Sequence, residues 1–263
     1  MLENISLVIS VIFLYIGLGF FVSVILKRND IADVMWGPGI FLAALTAYIL
    51  SDSSSVLTLV IISLWGLRIF THIGLRFLGK KEEDFRYKVW RETWKYFYVR
   101  SFLQVFLLQG FLMILVASSV IYFYLKSFEA SGFMFFAFSI LALCSLVYES
   151  VADLQLKKFI KENKNNPDKN VILSKGLWKY SRHPNYFGEV SFWWFIFLSL
   201  VSATSDIDLA FSHYLILLIS PLTISYLILY VSGIPLLEKK YIGNQNFDKY
   251  KSKTPAFFPN FFL

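Results

Sequence analysis

The sequence predicts an all-α integral membrane protein, a bundle of seven transmembrane helices that forms a single domain over residues 1–263. Three observations support this prediction. Hydrophobic residues make up 57% of the chain and charged residues only 16%, whereas soluble domains carry about 25% charged residues. Long apolar runs recur along the whole chain, which is typical of polytopic membrane proteins. The basic residues are concentrated in alternate connecting segments.

Seven apolar runs are long enough, or nearly so, to cross a hydrocarbon core of roughly 30 Å as helices. In chain order they cover residues 4–26, 34–50, 56–76, 101–125, 132–156, 187–203 and 210–236. The second and sixth runs are short, so these helices are expected to tilt little or to be partly re-entrant. The first run has no basic start and no small-residue cleavage site, which favours a span over a signal peptide. Cys144 lies inside an apolar run and is expected to be a buried small hydrophobe.

The connecting segments predict the orientation. One set is rich in Lys and Arg and includes "KRND", "RFLGKKEEDFRYKVWRETWKYFYVR", "KKFIKENKNNPDKNVILSKGLWKYSRH" and the C-terminal tail. The other set, "SDSSS", "KSFEASG" and "SATSDID", holds one Lys. The positive-inside rule places the basic set in the cytoplasm. With seven spans, the N-terminus is then outside and the C-terminus cytoplasmic.

Several protein classes are disfavoured by the same observations. The net charge of +7 is explained by topology, so no nucleic-acid partner is expected. The three histidines, His72, His183 and His213, show no metal-ligand spacing, so no metal site is expected. No G-x-G-x-x-G motif opens a strand–helix unit, which argues against a Rossmann nucleotide site.

Ionisable side chains inside or beside spans are costly and usually functional. "DVMWGPG" places Asp33 and Trp36 at the mouth of the second span, where a helix-dipole and interface role is the simplest interpretation. "LWGLRIFTHIGLR" places its polar stripe on one face of the third span. The members of this stripe are Trp65, Arg68, His72 and Arg76. Three potential cations on one stripe suit an anionic ligand, although snorkelling also accounts for the two nearest the membrane surface.

"YESVADLQLKKF" repeats Glu149, Asp153 and Lys157 every four residues, again on one face. Lys157 offers Asp153 a local ion pair, whereas the deeper Glu149 needs a partner from another helix or from a ligand.

"YSRHPNYFGE" is the densest polar cluster and directly precedes an apolar run. Pro184 disfavours helix at His183 and suits the first turn of the helix that follows. Arg182 and His183 therefore lie just before a helix N-terminus, which favours an anion such as a phosphate. Asn185 and Glu189 share a face and are positioned to hydrogen-bond an amide or a ribose. The alternative interpretation is an ordinary basic juxtamembrane loop.

Together these motifs resemble bacterial members of the steroid 5-alpha-reductase superfamily, in a branch of uncharacterised function. The matching segments are "DVMWG", "WGLR", "EDFRY", "ESVADLQ", "YSRHPNYFGE" and "GIPLLE". A related "RHPxY" block also marks isoprenylcysteine carboxyl methyltransferases. The resemblance implies a helical bundle that binds NADPH from the cytoplasm, with Asn185 and Glu189 as cofactor contacts. It also puts Glu149 where the reductases have Asn, and Trp65 where they hold the substrate ketone with Tyr.

The residue patterns and the resemblance together predict the following site. The expected catalytic residues are Asp33, Trp36, Trp65 and Arg68. The expected cofactor-binding residues are His72, Arg76, Arg86, Tyr87, Glu149, Asp153, Lys157, Arg182, His183, Asn185, Tyr186, Glu189, Glu238, Tyr241 and Tyr250.

The expected activity is NADPH-dependent hydride transfer to the activated C=C bond of a lipophilic, steroid- or isoprenoid-like substrate that enters from the bilayer. Two alternatives remain open. One is an S-adenosylmethionine-dependent methyltransferase of a lipid-borne group, and the other is a non-enzymatic lipid-binding or transport protein.

Overall fold

The computed structural model describes residues 1–80, 82–166, 170–204 and 210–262. Helices account for 77% of the chain, and the described residues contain no strand. The all-α prediction is therefore confirmed. Parts of three predicted connecting segments, at residues 81, 167–169 and 205–209, lie outside the described residues.

Six apolar helical segments are long enough to cross a membrane. They are Leu2–Leu26, Val56–Leu78, Phe97–Leu125, Phe133–Glu162, Pro184–Ala203 and Phe211–Tyr241. Within this set, α1 is Leu2–Leu26, α4 is Val56–Leu78, α8 is Phe133–Glu162 and α9 is Pro184–Ala203. Their length and composition confirm the integral-membrane prediction, since water-soluble folds rarely need six such helices.

Two of the six segments are not uniform α-helices. The third joins α6 (Phe97–Ser101) to α7 (Leu108–Leu125) through π-helical Phe102–Leu107. The last consists of α10 (Phe211–Tyr226), π-helical Leu227–Val231 and, after a bend, α11 (Ile234–Glu238) and a 3-10 turn, Lys239–Tyr241. Gly233 occupies the bend, where a Cβ would lie 2.3 Å from the Ile228 carbonyl oxygen. The chain therefore accepts only glycine there without rearrangement.

The predicted second span is observed as a shorter helix. It consists of α2 (Ile31–Val34) and α3 (Trp36–Ile49), separated by a turn at Met35. The 14 residues of α3 reach only about 21 Å at 1.5 Å per residue, less than a hydrocarbon core. Seven crossings and the orientation of the termini therefore remain predictions.

Two helices form in segments that the sequence assigned to connecting loops. One is α5 (Phe85–Thr93), and its N-cap Asp84 accepts a hydrogen bond from the backbone N–H of Arg86 at 3.2 Å. The other is α12 (Gln245–Lys253), and its N-cap Asn244 accepts from the N–H groups of Asn246 and Phe247. Side-chain caps of this kind satisfy backbone donors that a helix start leaves unpaired.

The chain divides into two compact units. Unit 1 comprises Met1–Phe135 and Leu200–Ser220. Its centre is α3, which packs on α1, α4 and α7. The crossing of α3 and α4 occurs at glycines, because a Cβ on Gly37 would lie 2.5 Å from the Gly66 carbonyl oxygen.

Unit 2 comprises Phe136–Ser199 and Pro221–Leu263. Here α9 packs closely on α8, because a Cβ on Gly188 would lie 2.7 Å from the Cβ of Glu149. The Trp178 indole donates to the carbonyl of Ala152 on α8 at 3.0 Å. These contacts fix the "YSRHPNYFGE" segment against α8. The prediction of one domain over 1–263 remains a prediction.

One burial prediction is wrong. Cys144 is exposed on α8, not buried as expected. Its apolar surroundings along the sequence reflect a helix whose outer face is also apolar, as a lipid-facing surface requires.

Candidate functional site

The polar motif of unit 2 is built on a helix start. As expected, α9 begins at Pro184. Before it, a 3-10 turn at Gly176–Lys179 leads into residues 180–183. The C-terminal tail runs alongside this segment, because the backbone N–H of Arg182 donates to the carbonyl of Pro255 and that of Asn260 donates to the carbonyl of Tyr180, both at 2.9 Å.

Arg182 is engaged on every side of its guanidinium. Its Nε and Nη2 atoms contact Glu238 Oε1 at 2.9 and 2.8 Å. Its Nη1 donates to the carbonyls of Thr254 at 2.6 Å and Lys251 at 3.4 Å. The side chain is 7% exposed. Arg182 therefore ties α11 and the tail to the motif, and its predicted phosphate contact stays a prediction.

His183 presents one engaged and one unpartnered ring nitrogen. Its Nε2 lies 3.1 Å from Glu238 Oε1, and its Nδ1 is buried with no hydrogen-bond partner among the described residues. Burial lowers the pKa of His183 below its ordinary 6.5, against the opposing effect of Glu238. The neutral ring then carries its proton on Nε2, facing the carboxylate, and Nδ1 is a buried acceptor.

Asn185 presents a second buried acceptor. Its Nδ2 donates to Asp153 Oδ1 at 3.0 Å. Because a carboxylate only accepts, this bond fixes the amide orientation. The opposite atom, Oδ1, is shielded from solvent and has no hydrogen-bond partner in the described part of the chain. The motif thus holds two acceptor atoms that need donors. Buried acceptors without a hydrogen-bond partner are uncommon in native proteins.

Two further carboxylates of unit 2 are buried. Glu149 and Glu189 are each 5% exposed. Glu189 accepts a bond from the indole of Trp193 at 3.3 Å. Tyr186 stacks on His183, with ring centroids 5.6 Å apart and an angle of 16°. Lys157, in contrast, is exposed on α8.

The two tyrosines of the C-terminal tail, Tyr241 and Tyr250, make intramolecular contacts. The Tyr250 hydroxyl donates to the carbonyls of Trp178 and Ser181, and burial raises its pKa. Tyr241 is 41% exposed and stacks on Phe247 at 4.8 Å. The sequence predicted cofactor contacts for both tyrosines, and the structure adds these intramolecular partners.

A second polar cluster lies in unit 1 around Asp33. Its carboxylate accepts from Arg86 Nη2 at 2.8 Å, from the Tyr87 hydroxyl at 2.7 Å and from Gln109 Nε2 at 3.4 Å. Tyr87 is 3% exposed. Burial, and next the Asp33 carboxylate, raise the pKa of Tyr87 well above 10.0. Asp33 therefore links the "DVMWG" and "EDFRY" motifs.

The predicted stripe on α4 runs from buried to exposed. Trp65 is completely buried at 0% exposure, Arg68 is half-buried, and His72 and Arg76 are exposed. Arg76 lines a cavity of about 10 Å³, large enough for about one water, together with three carboxylates. These are Asp30, Asp33 and Asp84. Lys80 also lines this cavity, so charges of both signs surround Arg76. Trp36 is half-buried in the first turn of α3.

Sequence reasoning missed several participants. Gln109 contacts Asp33, and its Oε1 atom is buried with no partner among the described residues. Its position as an amide inside the apolar run 101–125 was the available signal. The tail carbonyls of Thr254 and Pro255 were not predictable from residue types, because every residue has a carbonyl group.

The comparisons with known proteins supply the family. Residues 19–254 match the model of a family described as "Protein of unknown function (DUF1295)". The chain belongs to the DUF1295 family. This family is steroid 5-alpha-reductase-like, in agreement with the motifs. No curated protein and no solved structure gives a significant match.

Within this family member, each unit holds its own group of predicted residues. Unit 2 contains Glu149, Asp153, Arg182, His183, Asn185, Glu189 and Glu238, whereas unit 1 contains Asp33, Trp65, Arg68, Arg86 and Tyr87. The unit 2 group is rich in acceptors. It suits a ligand that presents N–H or O–H donors better than it suits a bare anion.

Proposed function

We propose that this protein is a membrane-embedded reductase that binds NADPH and transfers hydride to the activated C=C bond of a lipophilic, steroid- or isoprenoid-like substrate. The observation that carries the proposal is the pair of buried, unpartnered acceptors, His183 Nδ1 and Asn185 Oδ1. Family membership adds support, because the family is steroid 5-alpha-reductase-like.

The acceptors fit a nicotinamide carboxamide. A primary carboxamide presents two N–H donors and one carbonyl acceptor. The donors complement His183 Nδ1 and Asn185 Oδ1, and the nearby Glu189 carboxylate offers a further acceptor. An unmet buried acceptor costs free energy of about 1–3 kcal/mol, so a ligand that supplies donors recovers that cost on binding.

The protein's own residues position the cofactor and the substrate and polarise the reacting groups. Arg182 and Glu238 hold the loop, Asp153 orients the Asn185 amide, and α9 carries Glu189 one turn further on. When bound, NADPH supplies the hydride, and the surrounding groups supply orientation and electrostatics. In unit 1, Arg68 is among the predicted catalytic residues, and a half-buried guanidinium donates charged hydrogen bonds.

The second candidate is an S-adenosylmethionine-dependent methyltransferase of a lipid-borne group. The same acceptor pair favours it, because the ammonium group of S-adenosylmethionine also brings N–H donors. The shared "RHPNY" sequence points the same way.

The membrane setting completes the proposal. We propose seven crossings in a bacterial inner membrane, an external N-terminus and a cytoplasmic cofactor site. The helical run from Ile31 to Ile49 supports a seventh crossing, because Met35 keeps a right-handed helical conformation and bonds to Ile31 at 3.1 Å. Its length is then about 28 Å, close to a bilayer core. The substrate enters from the lipid phase, and no nucleic-acid partner is proposed.

Cofactor co-purification in mild detergent tests the proposal. Denaturation of the purified protein should release NADP(H), which mass analysis identifies. Titration of the protein freed of cofactor should show saturable NADPH binding. S-adenosylmethionine should not compete. If the protein binds S-adenosylmethionine but not NADPH, the methyltransferase proposal replaces the reductase proposal. If it binds neither, both proposals are contradicted.

A further inference from the structure

A basic cleft of about 610 Å³ lies in unit 2 between residues 171–179 and α12. Its charged lining residues are Lys179, Lys249 and Lys253, and no carboxylate is among the described residues that line it. The remaining walls are Val171, Ile172, Ser174, Asn246, Tyr250 and Thr254. The volume falls in the range of about 300–1,000 Å³ that is usual for small-molecule sites.

The three lysines have no counter-ion within the described part of the chain. Their neighbour on α12, Lys251, points elsewhere and pairs with Glu238 at 3.8 Å. Three positive charges around one cleft repel each other and focus a positive potential into the cleft. An anion in the cleft relieves this repulsion, so the charge pattern favours an anionic ligand over a neutral one.

The walls of the cleft are held together by hydrogen bonds. The Tyr250 hydroxyl joins α12 to the carbonyl of Trp178, and Thr254 Oγ1 donates to the carbonyl of Lys179 at 3.3 Å. The Asn246 amide donates to the carbonyl of Asn170 at 3.2 Å. The lysine backbones are therefore positioned before any ligand arrives, which lowers the entropic cost of binding.

We propose that this cleft is a binding site for the phosphate group of a small anionic molecule. Lysine is a strong point-charge partner for phosphate, and Val171, Ile172 and Tyr250 offer an apolar wall for the rest of the ligand. The phosphate comes either from the headgroup of an anionic phospholipid or from a soluble phosphate ester. His183 and Asn185 do not line the cleft, whereas Tyr250 is also one of the expected cofactor-binding residues. The proposal does not depend on the reductase proposal.

Two probes distinguish the sources. Pyrophosphate is titrated into detergent-solubilised protein that carries only zwitterionic lipid, and bound phosphatidylglycerol is counted by native mass spectrometry in a mixture with phosphatidylcholine. Saturable binding of one probe is expected. The affinity for that probe should fall by about tenfold or more in Lys249→Gln/Lys253→Gln, because charge-assisted hydrogen bonds are lost. The Lys249→Arg/Lys253→Arg variant should retain it.

Lys158→Gln is the matched control, because Lys158 lies on α8 of the same unit and pairs with Glu162 at 3.9 Å. Its affinity for the probe should match the wild type, and all variants should melt at the wild-type temperature. Binding of neither probe, or an equal loss in the control, would overturn the proposal. NADPH affinity should be unchanged in Lys249→Gln/Lys253→Gln. If NADPH affinity fell by the same factor as probe affinity, the cleft would not be a separate site.

Discussion

At the scale of single residues, Glu189 is the carboxylate that best separates a ligand role from a structural one. Glu189→Gln keeps the shape and the capacity to accept from Trp193 but removes the charge. If the carboxylate accepts from a bound nicotinamide amide, NADPH affinity should fall by about ten- to a hundredfold, for a loss of roughly 1.5–3 kcal/mol. Titration measures this, and thermal melting is the folding control. Wild-type affinity would mean that Glu189 only supports α9.

His183 gives the site a dependence on pH. Burial lowers the pKa of His183 below 6.5, so below 6.5 the unfolded chain binds more protons than the folded chain. Stability contributed by the neutral ring is present above pH 6.5 and is lost as the pH falls, by at most about 1.4 kcal/mol per pH unit for one group. The melting temperature should therefore drop between pH 7 and pH 5.

His183→Gln is the comparison for that pH series, because its amide still donates to Glu238 but does not titrate. The variant should show a smaller drop in melting temperature than the wild type. A drop of equal size in both proteins would assign the pH dependence to other groups.

At the scale of elements, the central feature of unit 2 is the anchoring of the tail by Arg182. Arg182→Ala removes the shortest contact to Glu238, which keeps His183 and Lys251, and it leaves the Thr254 carbonyl without this donor in a mostly buried position. The expected loss in unfolding free energy is about 3–5 kcal/mol, and trypsin should cleave the tail near Lys251 faster. Lys158→Ala, which breaks a surface pair, should cost less than about 1 kcal/mol. A tail as protease-resistant as the wild type would contradict the anchoring role.

The elements also show what sequence patterns reveal. The long helices were predictable because each contains a long apolar run, and the start of α9 was predictable from Pro184. The helices α5 and α12 were not, because their charged, amphipathic sequences look like loops between spans. The tail anchor was missed since backbone carbonyls, which no motif encodes, accept its hydrogen bonds.

At the scale of the whole molecule, the orientation is testable by cysteine labelling in intact cells. In a Cys144→Ser background, Asp52→Cys should react with a membrane-impermeant reagent, because its loop is predicted to be external. Lys164→Cys, in the basic segment after α8, should react only after permeabilisation. Both positions are exposed. The reverse pattern would overturn the orientation and the cytoplasmic placement of the cofactor site.

The sequence identified the family, the membrane class and the polar motifs, because costly polar residues in apolar runs stand out. It did not reveal which side chains pair with one another. Arg182 was predicted to bind phosphate from its position before a helix, which stays a prediction, and the structure adds a contact with Glu238, distant in sequence. Partners of this kind depend on tertiary contacts. In the same way, the unmet acceptors of His183 and Asn185 appear only once their other atoms are placed.

The most direct test of the central claim is an NADPH titration of wild type, Asn185→Ala and Asn163→Ala in detergent. Asn163 lies beyond α8 in the same unit, and among the described residues its side chain bonds locally, to the carbonyl of Phe159 and the amide of Asn166, so it controls for the chemical change. The wild type and Asn163→Ala should bind NADPH with the same affinity, and Asn185→Ala should bind at least about tenfold more weakly. Equal affinity in all three proteins, or no NADPH binding by the wild type, would contradict the account.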